Sequence, residues 1–83
     1  MRYIMGIQIG DQEQDEKRVK ELLSRHGHII KTRLGLHDNT STKTTKGLIL
    51  IEFIKGFDSE IAFMEAELSE LPTVEVRQMT FTQ

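Results

Sequence analysis

Three histidines are the side chains of this sequence best suited to hold a metal or to move a proton. His26 and His28 straddle Gly27, and His37 closes a strand-like run. On a strand, an H-x-H pair aims both rings to one side. Here the pair falls at the end of a helical pattern with a glycine between its members. There is no cysteine in the chain, so no thiolate can join them, and Asp38 is the acidic residue nearest in sequence to any of the three. The expectation is no metal site, with a histidine-based metal sensor kept as an alternative. His26 also continues an apolar stripe, where an imidazole packs half-buried, and a charged ring at a helix C-terminus is favoured by the helix dipole.

The other reactive side chains form no set. Ser24, Ser41, Ser59 and Ser69 lack the neighbouring base and orienting group that activate a nucleophile. Asp11, Glu13, Asp15 and Glu16 cluster where a helix begins, the place the dipole rewards with negative charge. Gly6, Gly10 and Gly35 do not have the spacing of a phosphate-binding loop. The sequence is therefore expected to be non-catalytic and to carry no cofactor.

The elements that would position these residues follow from periodicity. Tyr3, Met5, Ile7 and Ile9 alternate with Ile4, Gly6 and Gln8, which predicts a first strand ended by Gly10-Asp11. Asp11 and Gln14 have the spacing of a capping box, and Asp15 is a second cap candidate. Val19, Leu22, Leu23 and His26 then form one helical stripe, with Gly27 as its stop. A second strand is expected over 29–37, with Ile30, Thr32, Leu34 and Leu36 on one face. The polar run 38–46 reads as a connection. A third strand spans 47–55. Asp58 or Ser59 should cap a second helix striped by Phe57, Ile61, Met64, Leu68 and Leu71, which Pro72 cannot extend. Val74 and Val76, opposing Glu75 and Arg77, begin a last strand that reaches about Phe81.

The order β-α-β-β-α-β predicts a single α+β domain over 1–83. It is a ferredoxin-like sandwich, a four-stranded antiparallel sheet with both helices on one face. Right-handed crossovers place the first and third strands in the middle. Some ferredoxin-like enzymes hydrolyse acyl phosphates with an arginine in the first strand–helix loop. No arginine follows Ile9 directly, so that activity is not expected; a small dimeric enzyme with its site under the sheet remains a further alternative.

The third strand, G-L-I-L-I-E-F-I-K, is apolar on both faces. Ile49, Ile51 and Phe53 point one way and Leu48, Leu50 and Ile54 the other. A strand with one solvated face alternates apolar and polar, and monomers rarely keep a large exposed apolar patch. Glu52 marks the Leu48/Leu50/Ile54 side as the outer one. The expectation is a homodimer or homotetramer whose interface includes Leu48, Leu50 and Ile54, with Phe63, which lies off the second helical stripe, as a further contact. Arg33 and Arg77, with Glu75, are expected on the same uncovered face as cross-strand charge pairs.

Composition sets outer bounds. Of the 83 residues, 37% are hydrophobic and 29% charged, as in a soluble globular domain. The net charge is −2 with scattered cations, so direct nucleic-acid binding is not expected. No apolar run approaches the roughly 20 residues of a membrane span, and Met1 to Gly6 does not resemble a signal peptide. A cytoplasmic location without membrane association is expected.

The sequence resembles the ACT-like regulators of the iron-only hydrogenase system, which are related in fold to the C-terminal domain of nickel-responsive repressors. The likeness runs from Tyr3 to Leu23, through Arg33-Leu34-Gly35-Leu36 and Gly47-Leu48-Ile49-Leu50-Ile51, to Ile61 through Val76. It implies an oligomeric regulatory or effector-binding module. A ribbon-helix-helix segment like that of the repressors is not expected within these residues. The positions of their nickel ligands fall near Leu34, Leu36 and Gly47, none of which can ligate nickel, so nickel sensing is not implied. ACT domains often bind amino acids where the first strand–helix loop meets a partner. The candidate ligand-binding set is Gly10 and Asp11 of that loop with Arg33 and His37 of the second strand.

Overall fold

The computed structural model describes residues 1–36 and 47–82; His37 and the polar run 38–46 lie outside them. The elements are β1 (Arg2–Ile9), α1 (Glu13–Arg25), β2 (Ile30–Leu36), β3 (Gly47–Phe53), α2 (Asp58–Ser69) and β4 (Val74–Phe81), with a 3-10 turn over Gly27–Ile29. The strands form one antiparallel sheet in the order β2-β3-β1-β4, which is the ferredoxin-like arrangement with β1 and β3 central.

One face of the sheet carries the core. Met5, Ile7 and Ile9 of β1 pair with Ile51, Ile49 and Gly47 of β3 and with Gln78, Val76 and Val74 of β4. Residues directly opposite in an antiparallel pair share a face, and this face meets Val19, Leu22 and Leu23 of α1 and Ile61, Met64 and Leu68 of α2, all buried. The stripe of α1 is thus buried throughout, and that of α2 is buried at Ile61, Met64 and Leu68, while Leu71 is partly buried and Phe57, outside the helix, is exposed. Full burial of each such side chain is worth roughly 1.5–3 kcal/mol.

Strand β2 departs from simple alternation. Ile30 pairs with Phe53 and Thr32 with Glu52, so one residue is extra and the strand bulges at Lys31. The bulge reverses the facing of the strand: Ile30 packs on the core, whereas Thr32, Leu34 and Leu36 emerge on the other face with Glu52, Leu50 and Leu48. The expected common face for Ile30 and Leu34 is corrected accordingly. Arg33 pairs with Ile51 and therefore lies on the helical side of this edge strand, not on the uncovered face with Arg77. β3 ends at Phe53, one residue short of Ile54, whose N–H is bonded to the Ile29 carbonyl.

The helix ends also differ from expectation. Neither α1 nor α2 has a side-chain cap; their N-cap residues are Gln12 and Phe57. Asp15 is buried, and its carboxylate accepts the Thr73 N–H at 2.9 Å and the Thr73 hydroxyl at 2.5 Å. It ties the start of α1 to the turn before β4. Asp58 accepts the Tyr3 hydroxyl at 3.2 Å. Gly27 does not take up the left-handed conformation, which is found at Gly47 and Gly56 among the described residues. The chain leaves α1 through His26 and the 3-10 turn, which swings Ile29 into the core.

Gly10 is required by close approach. A Cβ there would lie 2.6 Å from both the carbonyl oxygen and the Cβ of Thr73, the residue that Asp15 holds in place. Gly10→Ala is expected to destabilise the fold by about 1–3 kcal/mol, the usual cost of forcing atoms into a packed site. Urea denaturation of the two proteins measures the difference; equal midpoints would show that this junction can yield.

Candidate functional site

None of the described residues covers the face of the sheet opposite the helices. Its rows follow from the pairing: Gly6 lies between Leu50 and Arg77, Ile4 between Glu52 and Met79, and Gln8 between Leu48 and Glu75, with Arg2 opposite Phe81. The bulged strand adds Leu34 beside Leu50 and Leu36 beside Leu48. Seven large apolar side chains (Ile4, Leu34, Leu36, Leu48, Leu50, Met79 and Phe81) therefore share one surface. Leu34, Met79 and Phe81 are each about half exposed, at 52%, 54% and 50%.

Charges sit at opposite ends of this surface. Arg2 donates to Glu52 at 2.7 Å. That bond holds the Glu52 carboxyl below its ordinary range and raises the Arg2 guanidinium. Toward the other end, Arg77 donates to Glu75 at 3.3 Å and to the Val76 carbonyl at 2.9 Å. Beside the second pair lies a dent of about 300 Å³. Gly6 forms its floor, Leu48, Leu50, Ile4 and Met79 its walls, and Gln8, Glu75 and Arg77 its rim.

A second polar constellation occupies the helical layer. His26 is 3% exposed, and both ring nitrogens meet carboxylates of α2: Nδ1 lies 2.7 Å from Glu60 and Nε2 2.9 Å from Glu67. Both bonds to ionised carboxylates form together only when the ring carries both its protons. His28 reaches Glu60 at 3.0 Å, and Arg25 reaches Glu67 at 3.2 Å. Phe63 sets its ring edge-on to His26, with centroids 6.3 Å apart. The bond from His26, more than that from His28, draws the Glu60 carboxyl below its ordinary range against a smaller opposing effect of burial. Tyr3 moves the other way: desolvation first, then the Asp58 charge, raise its phenol.

The residues singled out in the sequence do not converge on one point. Gly10 is pressed against Thr73, so its missing Cβ serves internal packing, while Asp11 is exposed beside it. Arg33 stands at the level of Met5 and Ile51, four residues along the strand from Ile9, and His37 lies outside the described residues. Leu48 and Leu50 share the uncovered face. Ile54 lies beyond the end of β3 in a separate hollow with Met1, Arg2 and Lys31, and Phe63, 60% exposed, stands on the opposite, helical layer. One flat interface cannot hold all four. Among the described residues no group of three or more histidine, aspartate or glutamate side chains is arranged to hold a metal ion. Leu34, Leu36, Met79 and Phe81 joined the surface unforeseen; Met79 and Phe81 continue the parity of Glu75 and Arg77 and were open to detection.

The architecture defines a ferredoxin-like α+β domain, and three solved structures are similar to this chain. An uncharacterized protein from Thermotoga maritima is 23% identical, with a TM-score of 0.74 over 94% of this chain and 92% of that one. A formyltetrahydrofolate deformylase from Pseudomonas putida KT2440 is 15% identical, with a TM-score of 0.66; all of this chain matches, spanning 30% of the deformylase. A dimeric ferredoxin-like protein of unknown function from Thermobifida fusca is 15% identical over 96% of this chain, and its TM-score of 0.45 is too low to place an interface here. The first two likenesses show the fold. No protein-family model and no curated protein matches the sequence.

Glu60 and Glu52 set the acid response. A carboxyl held low in the folded state contributes stability that is fully present above its unfolded pKa of about 4.3. That contribution is lost as pH falls through the lower folded value. The urea midpoint is expected to fall steadily between pH 5 and pH 3, and Glu60→Gln should flatten that fall. An unchanged pH slope in the variant would show that the His26 bond does not hold Glu60 ionised.

Proposed function

We propose that this protein is a non-catalytic, ACT-like regulatory module that works as a homo-oligomer joined through the uncovered sheet face. The apolar surface built by β2, β3, β1 and the end of β4 carries this reading. Monomers rarely keep such a patch. Each half-exposed side chain would recover roughly half of the 1.5–3 kcal/mol that full burial is worth. A two-fold pair counts every side chain twice, and the four exposed ones, Leu34, Leu36, Met79 and Phe81, then recover roughly 6–12 kcal/mol, within the range of the roughly 4–15 kcal/mol that association costs. The Arg2–Glu52 pair supports the same arrangement, because two neutralised charges at the margin of a dry interface form a polar rim.

The buried polar residues support a regulatory role over a catalytic one. Asp15 and His26 are the buried charged or polar side chains among the described residues, and both spend their bonds holding elements together. The sequence resemblance to regulators of the iron-only hydrogenase system names the process in which this module would act. The dimer is the expected unit, and Phe63, on the opposite layer, marks where a second pairing would build a tetramer.

Light scattering at micromolar concentration is expected to give about twice the chain mass of 9.6 kDa. Leu34→Glu places a charge on a half-exposed edge position that a folded monomer tolerates, so it should yield a folded monomer by circular dichroism. Leu50→Glu, nearer the centre, should dissociate the assembly or unfold the chain. A wild-type monomer, or a Leu34→Glu protein that stays associated, would overturn the reading.

A further inference from the structure

Gly6 stands in the middle of β1, a central strand, where glycine weakens the sheet. Three ordinary reasons for a glycine are missing. Its backbone is not left-handed, because the positive-φ glycines among the described residues are Gly47 and Gly56. No bulge interrupts the β1 ladders, which run in unbroken register through Leu50 and Arg77. No neighbour excludes a side chain either: an added Cβ would meet the Leu50 Cδ2 at 3.5 Å and the Leu48 Cδ1 at 4.0 Å, ordinary contact distances. What the glycine does line is the dent of about 300 Å³ on the uncovered face. A glycine inside a strand with no internal cause marks the close approach of something from outside the strand.

We infer that this dent binds a small carboxylate with an apolar body, and that a second copy of the chain roofs it over. The inference rests on the sheet-face pairing proposed above. A volume near 300 Å³ is at the lower end for small-molecule sites and too small for a docked helix. The walls are Leu48, Leu50, Ile4 and Met79, which fit an aliphatic or aromatic body. The cation at the rim is Arg77. Its guanidinium uses bonds to Glu75 and Val76 and has five N–H donors in all, so donors remain for a carboxylate. In a two-fold interface the same patch meets itself. Gly6 lies on one of the two central strands, so an axis through the middle of the sheet sets the two dents facing each other as one enclosed, water-poor chamber. An ion pair to Arg77 is stronger there than at an open surface.

Octanoate is the probe, with octanol as its uncharged match. Octanoate should raise the melting temperature of the wild-type protein in a saturable way and octanol far less, because a ligand of the native state shifts apparent stability. Gly6→Val fills the dent with a side chain that suits a strand; it should remain dimeric by light scattering and bind octanoate at least tenfold more weakly. Arg77→Gln should lose the preference for octanoate over octanol. A dimer whose octanoate shift is absent, or is the same in Gly6→Val, would overturn the site while leaving the sheet-face pairing intact. A Gly6→Val protein that becomes monomeric would also overturn it, by showing that the dent receives a side chain of the second copy. A monomeric wild-type protein would overturn the pairing, and with it the enclosed chamber.

Discussion

The two helices of this chain cover one face of a four-stranded sheet, and most of what is distinctive about the molecule follows from that limit. Met5, Ile7, Ile9, Ile51, Phe53 and Val74 of the sheet are sealed beneath α1 and α2. The opposite residues of the same strands cannot share that cover. On a protein that meets only water they would be polar, since one solvated face costs a sheet nothing. Here they are Ile4, Leu48 and Leu50, extended on either side by Leu34 and Leu36 and by Met79 and Phe81. Composition thus changes in a way that the fold alone does not call for, and the change points outward.

Polar bonds hold the helical layer in place at two junctions. At one, Asp15 joins the start of α1 to Thr73, and Gly10 lets the backbone close against the same residue. At the other, His26 at the end of α1 sits between Glu60 and Glu67, seven residues and about two turns apart on α2. These are nearly dry sites where an unpaired group would be costly, and each group is paired. Asp15 and His26, the buried polar side chains among the described residues, both make their bonds between elements of the fold.

Much of this was legible from pattern because parity survives folding. The alternation in β1 and within Gly47–Phe53 of β3, the Val19/Leu22/Leu23 and Ile61/Met64/Leu68 stripes and the Val74/Val76 pair each depend on neighbours a few residues away, and these lie as read. What escaped depends on distant partners or on a single inserted residue. The bulge at Lys31 reverses the rest of β2, and a period-two reading has no means of noticing one extra residue. Asp15 looks like a helix cap until Thr73, 58 positions later, is placed beside it. Glu60 and Glu67 look like solvated helix positions, and His26 a packing residue, until α1 and α2 are laid together. The apolar face was foreseen in its central strand, yet its extent came from adding four strands in register.

Two glycines on the same strand-loop segment show how the uncovered face should be weighed. At Gly10 the missing side chain is fully explained from within: Thr73 occupies the space that a Cβ would need. At Gly6, on the other side of the sheet, a Cβ would meet its neighbours at ordinary contact distances of 3.5 Å and more. A strand residue that loses stability for no internal gain is a local conflict, and sequences that fold well keep such conflicts where function requires them. The surroundings of Gly6 are a second instance of the same kind, because the leucines beside it would also be poor choices against water. Both departures fall on one patch of one face. Replacing Gly6 with a β-branched residue would strengthen β1 and flatten the face, and the chain has instead kept a weaker strand and a shaped surface.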